Sequence, residues 1–570
     1  MGVVQRASRN FIPSSLKIEK WEDLSSFFED LQSRNIDGFD QLKTWLKDLS
    51  ELEAVIEEDG AWRYIRMTID TTDEKASERY KTFVTEIQPH LATVGDALNK
   101  KLAQSKAVDQ LSGDAYRIYL RGIKNDIALF KEENIALNTQ LQELAQQYSA
   151  LNGSMEIELN GETLTMQQAG AKLQDPDRTL REQVFRIMQS TRLEKHQEFD
   201  GLFNQMVSLR HEVAKNAGFD NFRDFKFSAM GRFDYSPQDC FNFHESIEKA
   251  IMPISRGIVQ RRAERMELEK LRPWDLSVDP EGREPLKPFE GGEALIQKSI
   301  AAFANVDPFF GDVLQTMNDL AYLDLESKQG KAPGGYNYPL YESGVPFIFM
   351  NAVGTPRDLV TMMHEGGHAI HSVLTHDLEL TSFKGCPSEV AELASMSMEL
   401  ISMDQWHLFY TDAEDLKRAK REQLEDTLSM LPWIAMVDAF QHWIYTNPSH
   451  TAEERKETWQ EIEARFGFDQ IDWSGLEEGK SYRWHRQLHI FEVPFYYIEY
   501  GMAQLGAIAV WRNYKKNPSK ALGDFTAALK LGYTKSIGDI YETAGVRFDF
   551  SEAYISELAD FVQEELSKLG

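Results

Sequence analysis

The sequence predicts a mostly α-helical fold with a small antiparallel β-sheet beside one functional helix. Apolar residues recur at three- and four-residue steps through most of the chain, the spacing that puts one stripe on one face of a helix. Strand-like patterning is confined to two short stretches, near 154–166 and 333–352. Hydrophobic residues at 42% and aromatics at 11% over 570 residues are enough for a large core, a length equivalent to about three or four domain-sized units.

Taken in order, 17–150 reads as amphipathic helices over 21–31, 39–52, 80–102 and 115–148, with Glu, Lys and Gln on the opposite faces. Around Asn160-Gly161 alternation on both sides predicts a hairpin. Helical patterning resumes from 176 to 270, and 261–271, dense in alternating charge, reads as a solvated face. The segment from Arg272-Pro-Trp-Asp-Leu to Gly292 reads as an ordered, packed connector. Val345 to Asn351 reads as a strand, which Pro346 confines to a sheet edge or to the strand's start. As an edge strand it would offer a backbone template to an extended peptide. As a buried strand it would have no substrate role. From 388 to 570 the chain is again mostly helical. The expected regions are 1–150 (N-terminal helical), 151–330 (helical lobe with connector) and 331–570 (carrying the functional helix).

Charge and cysteine content exclude several classes. The formal balance is −29, so the surface is acidic, which argues against nucleic-acid and anionic-membrane partners. Only Cys240 and Cys386 are present, far apart and without C-x-x-C. Neither a disulfide framework nor a thiolate metal site is expected. The first residues are polar and lead to no apolar stretch, and no run approaches a membrane span. A cytoplasmic location is expected.

The functional helix is marked by His364-Glu365-Gly366-Gly367-His368. Residues four apart share a helix face, so His364 and His368 can send two imidazoles to one metal ion. Glu365 sits about 100° round, placed to act on a water rather than as a ligand. Thr355, Pro356 and Asp358 are a helix-start signal. The two interior glycines disfavour helix by about 1 kcal/mol each, which suggests close approach there by the neighbouring strand or by substrate.

A catalytic zinc takes three protein ligands and keeps one position open. His371 lies on the same face but would strain a tetrahedral site as a third ligand from so short a segment. Leu374 stands where the H-E-x-x-H-x-x-G-x-x-H arrangement has its last His. The better source is Glu389-Val-Ala-Glu-Leu-Ala-Ser-Met-Ser-Met-Glu399, in which Glu389, Met396 and Glu399 fall within about 60° of Glu392 on a helix. Carboxylates beside apolar positions are costly to bury unless a cation or donors meet them. One can bind zinc and another can hold a ligating imidazole. Spacing alone leaves their roles open.

These two segments together resemble the thimet oligopeptidase/oligoendopeptidase F family of zinc peptidases, nearest its bacterial oligoendopeptidase and Pz-peptidase-like branch. The likeness extends through Gly334-Gly335-Tyr336, Phe347-Ile-Phe-Met-Asn351, Gly218-Phe-Asp-Asn-Phe222, Arg272-Pro-Trp-Asp-Leu276 and the C-terminal helices. The first 150 residues match only in helical character. The resemblance implies a two-lobed, gluzincin-like helical peptidase with one Zn2+ per chain. It implies His364, His368 and Glu392 as ligands, Glu399 behind them and Glu365 as general base. Ala394 departs from the Pro common at that position. The resemblance also implies that a His followed by a Phe-Tyr-rich helix donates to the oxyanion, which maps onto His489, Tyr496 and Tyr500. His485 and Tyr497 are alternatives. Internal cleavage of short peptides is the implied activity. A zinc carboxypeptidase-like exopeptidase shares H-E-x-x-H, and a helical binding protein with a vestigial motif is the non-enzymatic alternative.

Overall fold

The computed structural model describes residues 3–332 and 334–569. Among these, five short strands interrupt an otherwise helical chain: β1 (Glu156–Leu159), β2 (Glu162–Thr165), β3 (Leu323–Glu326), β4 (Tyr336–Tyr338) and β5 (Phe347–Ala352). The chain forms two compact units, each assembled from separate segments. One comprises Met1–Phe130, Lys287–Ala419 and Ala503–Phe548. The other comprises Lys131–Leu286, Lys420–Met502 and Asp549–Gly570. This grouping by contact cuts across the consecutive division 1–150, 151–330 and 331–570.

In the first unit, helices Glu22–Ser33, Phe39–Ile69 and Gln88–Gln104 bury Leu24, Phe28, Leu42, Trp45, Leu49 and Leu98 in one apolar cluster that also takes in Leu380 and Phe383. The helix expected over 80–102 contains a π-helical segment at Phe83–Ile87. Pro89 follows it, and a wider turn relieves the clash between a proline ring and the preceding turn's carbonyl. The far end of Phe39–Ile69 covers the three-stranded sheet, with Ala61 and Ile65 against Leu340, Phe347 and Phe349.

That sheet runs β3-β5-β4, with β5 parallel to β3 and antiparallel to β4. It is therefore mixed, where the sequence predicts an antiparallel one. The 345–351 strand is also not at an edge. β5 lies in the middle, nearly all buried, and Pro346 sits just before it, where its missing N–H costs no ladder bond. The edge beside the functional helix is β4, and both β4 and β5 contact that helix.

In the second unit the Asn160-Gly161 hairpin is present as expected. Both turn residues have positive φ (54° and 85°), and Leu159 pairs with Glu162. The helix expected over 115–148 is broken into Asp114–Leu129, in the first unit, and Glu133–Gly153, in the second, and no Gly or Pro marks the break. An aromatic core links Tyr148, Phe199, Phe203, Trp484 and Phe491, with Tyr148 stacked on Phe491 at 4.0 Å between centroids. The Arg272-Pro-Trp-Asp-Leu connector is packed, as expected. Trp274 and Asp275 are buried, and Asp275 receives Arg178 at 2.8 Å and Arg181 at 3.1 Å.

Candidate metal centre

The helix Pro356–Leu374 starts at a capping box. The Asp358 carboxylate accepts from the Thr355 amide at 2.8 Å, and Thr355 Oγ1 accepts from the Asp358 amide at 3.4 Å. Its inner face packs on helix Ser388–Ile401. The glycine pair makes that packing close. A Cβ at Gly367 would lie 2.6 Å from Ser395 Cα and 2.8 Å from the Ala394 carbonyl oxygen, and one at Gly366 would collide with the Phe303 ring. The close approach is thus by Phe303 and by the neighbouring helix backbone, not by the strand or substrate anticipated from sequence. Ala394, small and buried, lies on the same crossing.

This crossing brings the predicted ligands together. Glu392 Oε2 lies 3.3 Å from His364 Nε2 and 3.7 Å from His368 Nε2, and the two imidazoles stand nearly perpendicular. All three ligand atoms lie within 4.8 Å of one another. Ser395 Oγ donates to the same Glu392 oxygen at 3.0 Å and so orients the carboxylate. Behind His364, Glu399 Oε1 is 2.7 Å from Nδ1. A carboxylate on Nδ1 holds the proton there and leaves Nε2 as the lone-pair donor, the arrangement a metal-ligating imidazole requires. Burial works against charge on His364, but Glu392 and Glu399 outweigh it and raise its pKa well above the ordinary histidine value. The pocket thus favours positive charge. Two imidazole nitrogens and a carboxylate suit a divalent ion of the zinc class.

Glu365 is buried, and burial pushes its carboxyl up to about 7. Its backbone carbonyl accepts from Asn337 Nδ2 of β4 at 3.4 Å. The remaining acidic candidate, Glu389, is buried outside the ligand group, and its backbone carbonyl accepts from Tyr541 Oη. His371 also lies outside it, with Nδ1 3.9 Å from Cys386 Sγ.

The oxyanion candidates belong to the second unit. His489, on the short helix Leu488–Glu492, has the rings of Tyr497 at 4.8 Å, Tyr500 at 5.7 Å and Tyr496 at 6.1 Å. The structure brings all four together, so it does not separate Tyr497 from the other two. The alternative histidine, His485, is buried against Phe199 and Tyr482, with Nε2 3.3 Å from Asp200 Oδ1.

Two residues that sequence reasoning missed fix the His489 ring. Trp433 Nε1–H donates to Gln487 Oε1 at 2.8 Å, and Gln487 Nε2 lies 2.8 Å from His489 Nδ1. An indole N–H only donates, so the Gln487 amide must present its NH2 to His489. Nδ1 therefore accepts, and the ring proton of neutral His489 sits on Nε2. No sequence pattern signals Gln487 or Trp433.

The chain matches Peptidase family M3 over residues 171–560 and the Peptidase M3 N-terminal domain over 12–130. An oligoendopeptidase F homolog of Borreliella burgdorferi is 24% identical over 540 residues, which cover 89% of this chain and 88% of that protein. The solved structure of Pz peptidase A with inhibitor 2 superposes with a TM-score of 0.89 at 27% identity, covering 96% of this chain and 97% of that one. Oligoendopeptidase F from Enterococcus faecium, 17% identical, shares the fold with a TM-score of 0.65 over 96% of this chain and 97% of that one. Among the described residues no helix is long and apolar enough to cross a membrane. The chain belongs to peptidase family M3 and is a metallopeptidase.

Proposed function

We propose that this chain is a zinc-dependent oligoendopeptidase that hydrolyses internal bonds of short peptides in the cytoplasm, with Glu365 as general base. The observation that carries the reading is the convergence of His364 Nε2, His368 Nε2 and Glu392 Oε2 on one point, with Glu365 adjacent on the same helix. Bound there, zinc would supply Lewis acidity that makes a water nucleophilic near neutral pH.

The remaining steps fall to the chain's own groups. His364, His368 and Glu392 would hold the ion, Glu399 fixes the His364 tautomer, and Ser395 aims Glu392. The Glu365 carboxylate takes the proton from the attacking water and passes it to the leaving amine. His489 donates from Nε2 to the oxyanion, with Tyr496 and Tyr500 as hydroxyl donors. The family resemblance motivates these three roles, and the Trp433-Gln487 relay supports the first by leaving the ring proton of neutral His489 on Nε2, free of that relay. The edge strand β4 offers backbone groups to an extended peptide.

Cleavage of a quenched peptide blocked at both termini tests the reading. An endopeptidase cuts it and loses that activity on chelation. A carboxypeptidase-like enzyme needs a free terminus and leaves it intact, and that result would overturn the proposal.

A further inference from the structure

A second group of ligand-type side chains lies wholly inside the second unit. Helix Pro237–Ser246 carries Cys240 and His244 four residues apart, and helix Ala413–Thr446 carries Asp438 and His442 with the same spacing. Each pair therefore shares one face of its helix. Cys240 and Asp438 are fully buried, and His244 and His442 are each 3% exposed. The ligand atoms of Cys240, Asp438 and His442 lie within 4.8 Å of one another.

The hydrogen bonding of the group is incomplete in a directed way. His244 Nε2 lies 2.8 Å from Asp438 Oδ2 and holds that oxygen. His442 Nε2 is 3.2 Å from the same oxygen but off the line of a hydrogen bond. Among the described residues neither ring nitrogen of His442 has a hydrogen-bond partner, nor does Asp438 Oδ1. The rings of Phe241, Phe495 and Phe227 wall His442 at 4.8, 5.2 and 5.7 Å. A buried carboxylate oxygen and an imidazole left without partners cost about 1–3 kcal/mol each, more where charged, and an apolar wall supplies no donors. A cation between them removes that cost.

We infer that Cys240, Asp438 and His442 form a second, structural site for a divalent cation of the zinc class, with His244 orienting the Asp438 carboxylate. A thiolate, an imidazole and a carboxylate together select zinc over the hard, oxygen-preferring cations. The absence of C-x-x-C argues against thiolate ligation only when one loop supplies the ligands. Here two helices about two hundred residues apart in the chain supply them, so the ion would tie those helices together as a cross-link does. This inference does not rest on the catalytic reading.

The test uses the full chain with the first centre disabled. The His364→Ala/His368→Ala variant, purified without chelator, is expected to retain about one zinc per chain and to melt at lower temperature after the zinc is stripped. Adding Cys240→Ser or His442→Ala should bring its zinc to background, with circular dichroism checking the helical content. Cobalt(II) supplies a second readout, because thiolate ligation gives a charge-transfer band in the near ultraviolet. The band should vanish in Cys240→Ser and persist in Cys386→Ser, and these are the chain's only cysteines. Background zinc in the double-alanine variant, together with no change in melting temperature on adding zinc, would overturn the inference. So would a cobalt band that survives Cys240→Ser.

Discussion

Two clusters of ligand-type side chains, one in each compact unit, are built on the same device and differ in how they meet their surroundings. In the first, His364 and His368 are four apart on one helix and face Glu392 on the next, only 24 residues on. In the second, Cys240 and His244 on one helix face Asp438 and His442 on another. The first keeps its imidazoles 19% and 20% exposed and places a buried acid, Glu365, beside them. The second is buried, with phenylalanine rings walling His442, and its own buried acid, Asp438, is counted among the ligands. Catalytic metal centres keep an open position and structural ones are closed. On the two proposed readings, the difference in exposure is what separates a catalytic centre from a structural one, even though the donor types overlap.

The largest effect that would sharpen this contrast is expected at His364. His364→Ala should remove metal from the first centre and take peptide cleavage below detection, while the fold, read by circular dichroism, persists. Metal content and turnover on a quenched peptide check it. Next, Glu365→Gln should lower kcat by about 10²–10⁴-fold, the range for losing a general base, with metal content unchanged. If the variant cleaved at the parent rate, the first cluster would lose its claim to be the catalytic one.

A control for the second cluster lies in the same unit. Asp275 is also a fully buried carboxylate, but the chain supplies its cations, Arg178 and Arg181. Removing it strands Arg181 in the interior, so Asp275→Ala should cost about 3–5 kcal/mol in denaturant unfolding. Burial alone would raise the Asp275 carboxyl. Hydrogen bonds from Arg178, the Arg272 amide and Arg181 outweigh burial and hold it below the usual carboxylate range. Its folded-state value is thus lower than its unfolded one. The stabilisation is fully present above the unfolded value and is lost as pH falls through the folded one. Parent and Asp275→Asn should therefore converge in melting temperature under acid and diverge toward neutrality. A gap independent of pH would remove the electrostatic reading.

The smallest expected effect is behind the first centre. Glu399→Gln leaves the three ligands in place but weakens the hold on His364 Nδ1. It should reduce metal affinity by about 10–100-fold, as loss of an outer partner does. Competition against a graded chelator measures this.

The legibility of these features follows the range over which each is encoded. The helix at Pro356–Leu374, its capping box and the Asn160-Gly161 hairpin rest on contacts a few residues long, so local spacing predicts them. The Glu392 assignment needed a second helix, and the sequence offered three glutamates within one arc. The resemblance chose among them, and the geometry puts Glu392 at the imidazoles and Glu399 behind one of them. From sequence, Pro346 confines its strand to a sheet edge or to the strand's start, because proline cannot donate to a ladder. It sits one residue ahead of β5, so the second alternative holds and the first does not.

By itself the sequence determined the helical class, the histidine pair at metal-ligand spacing with its adjacent glutamate, and the acidic helix that follows, because each repeats with the helix period and needs no distant partner. Only the tertiary structure decided that β5 is the central strand, with β4 the edge beside the functional helix, and that Gly366 and Gly367 admit Phe303 and a helix backbone. It also decided the tautomer of His489, set through Trp433 and Gln487, and the meeting of Cys240 with Asp438 and His442. Those features depend on which surfaces pack together. Packing brings together residues tens to hundreds of positions apart, and no local periodicity records such a meeting.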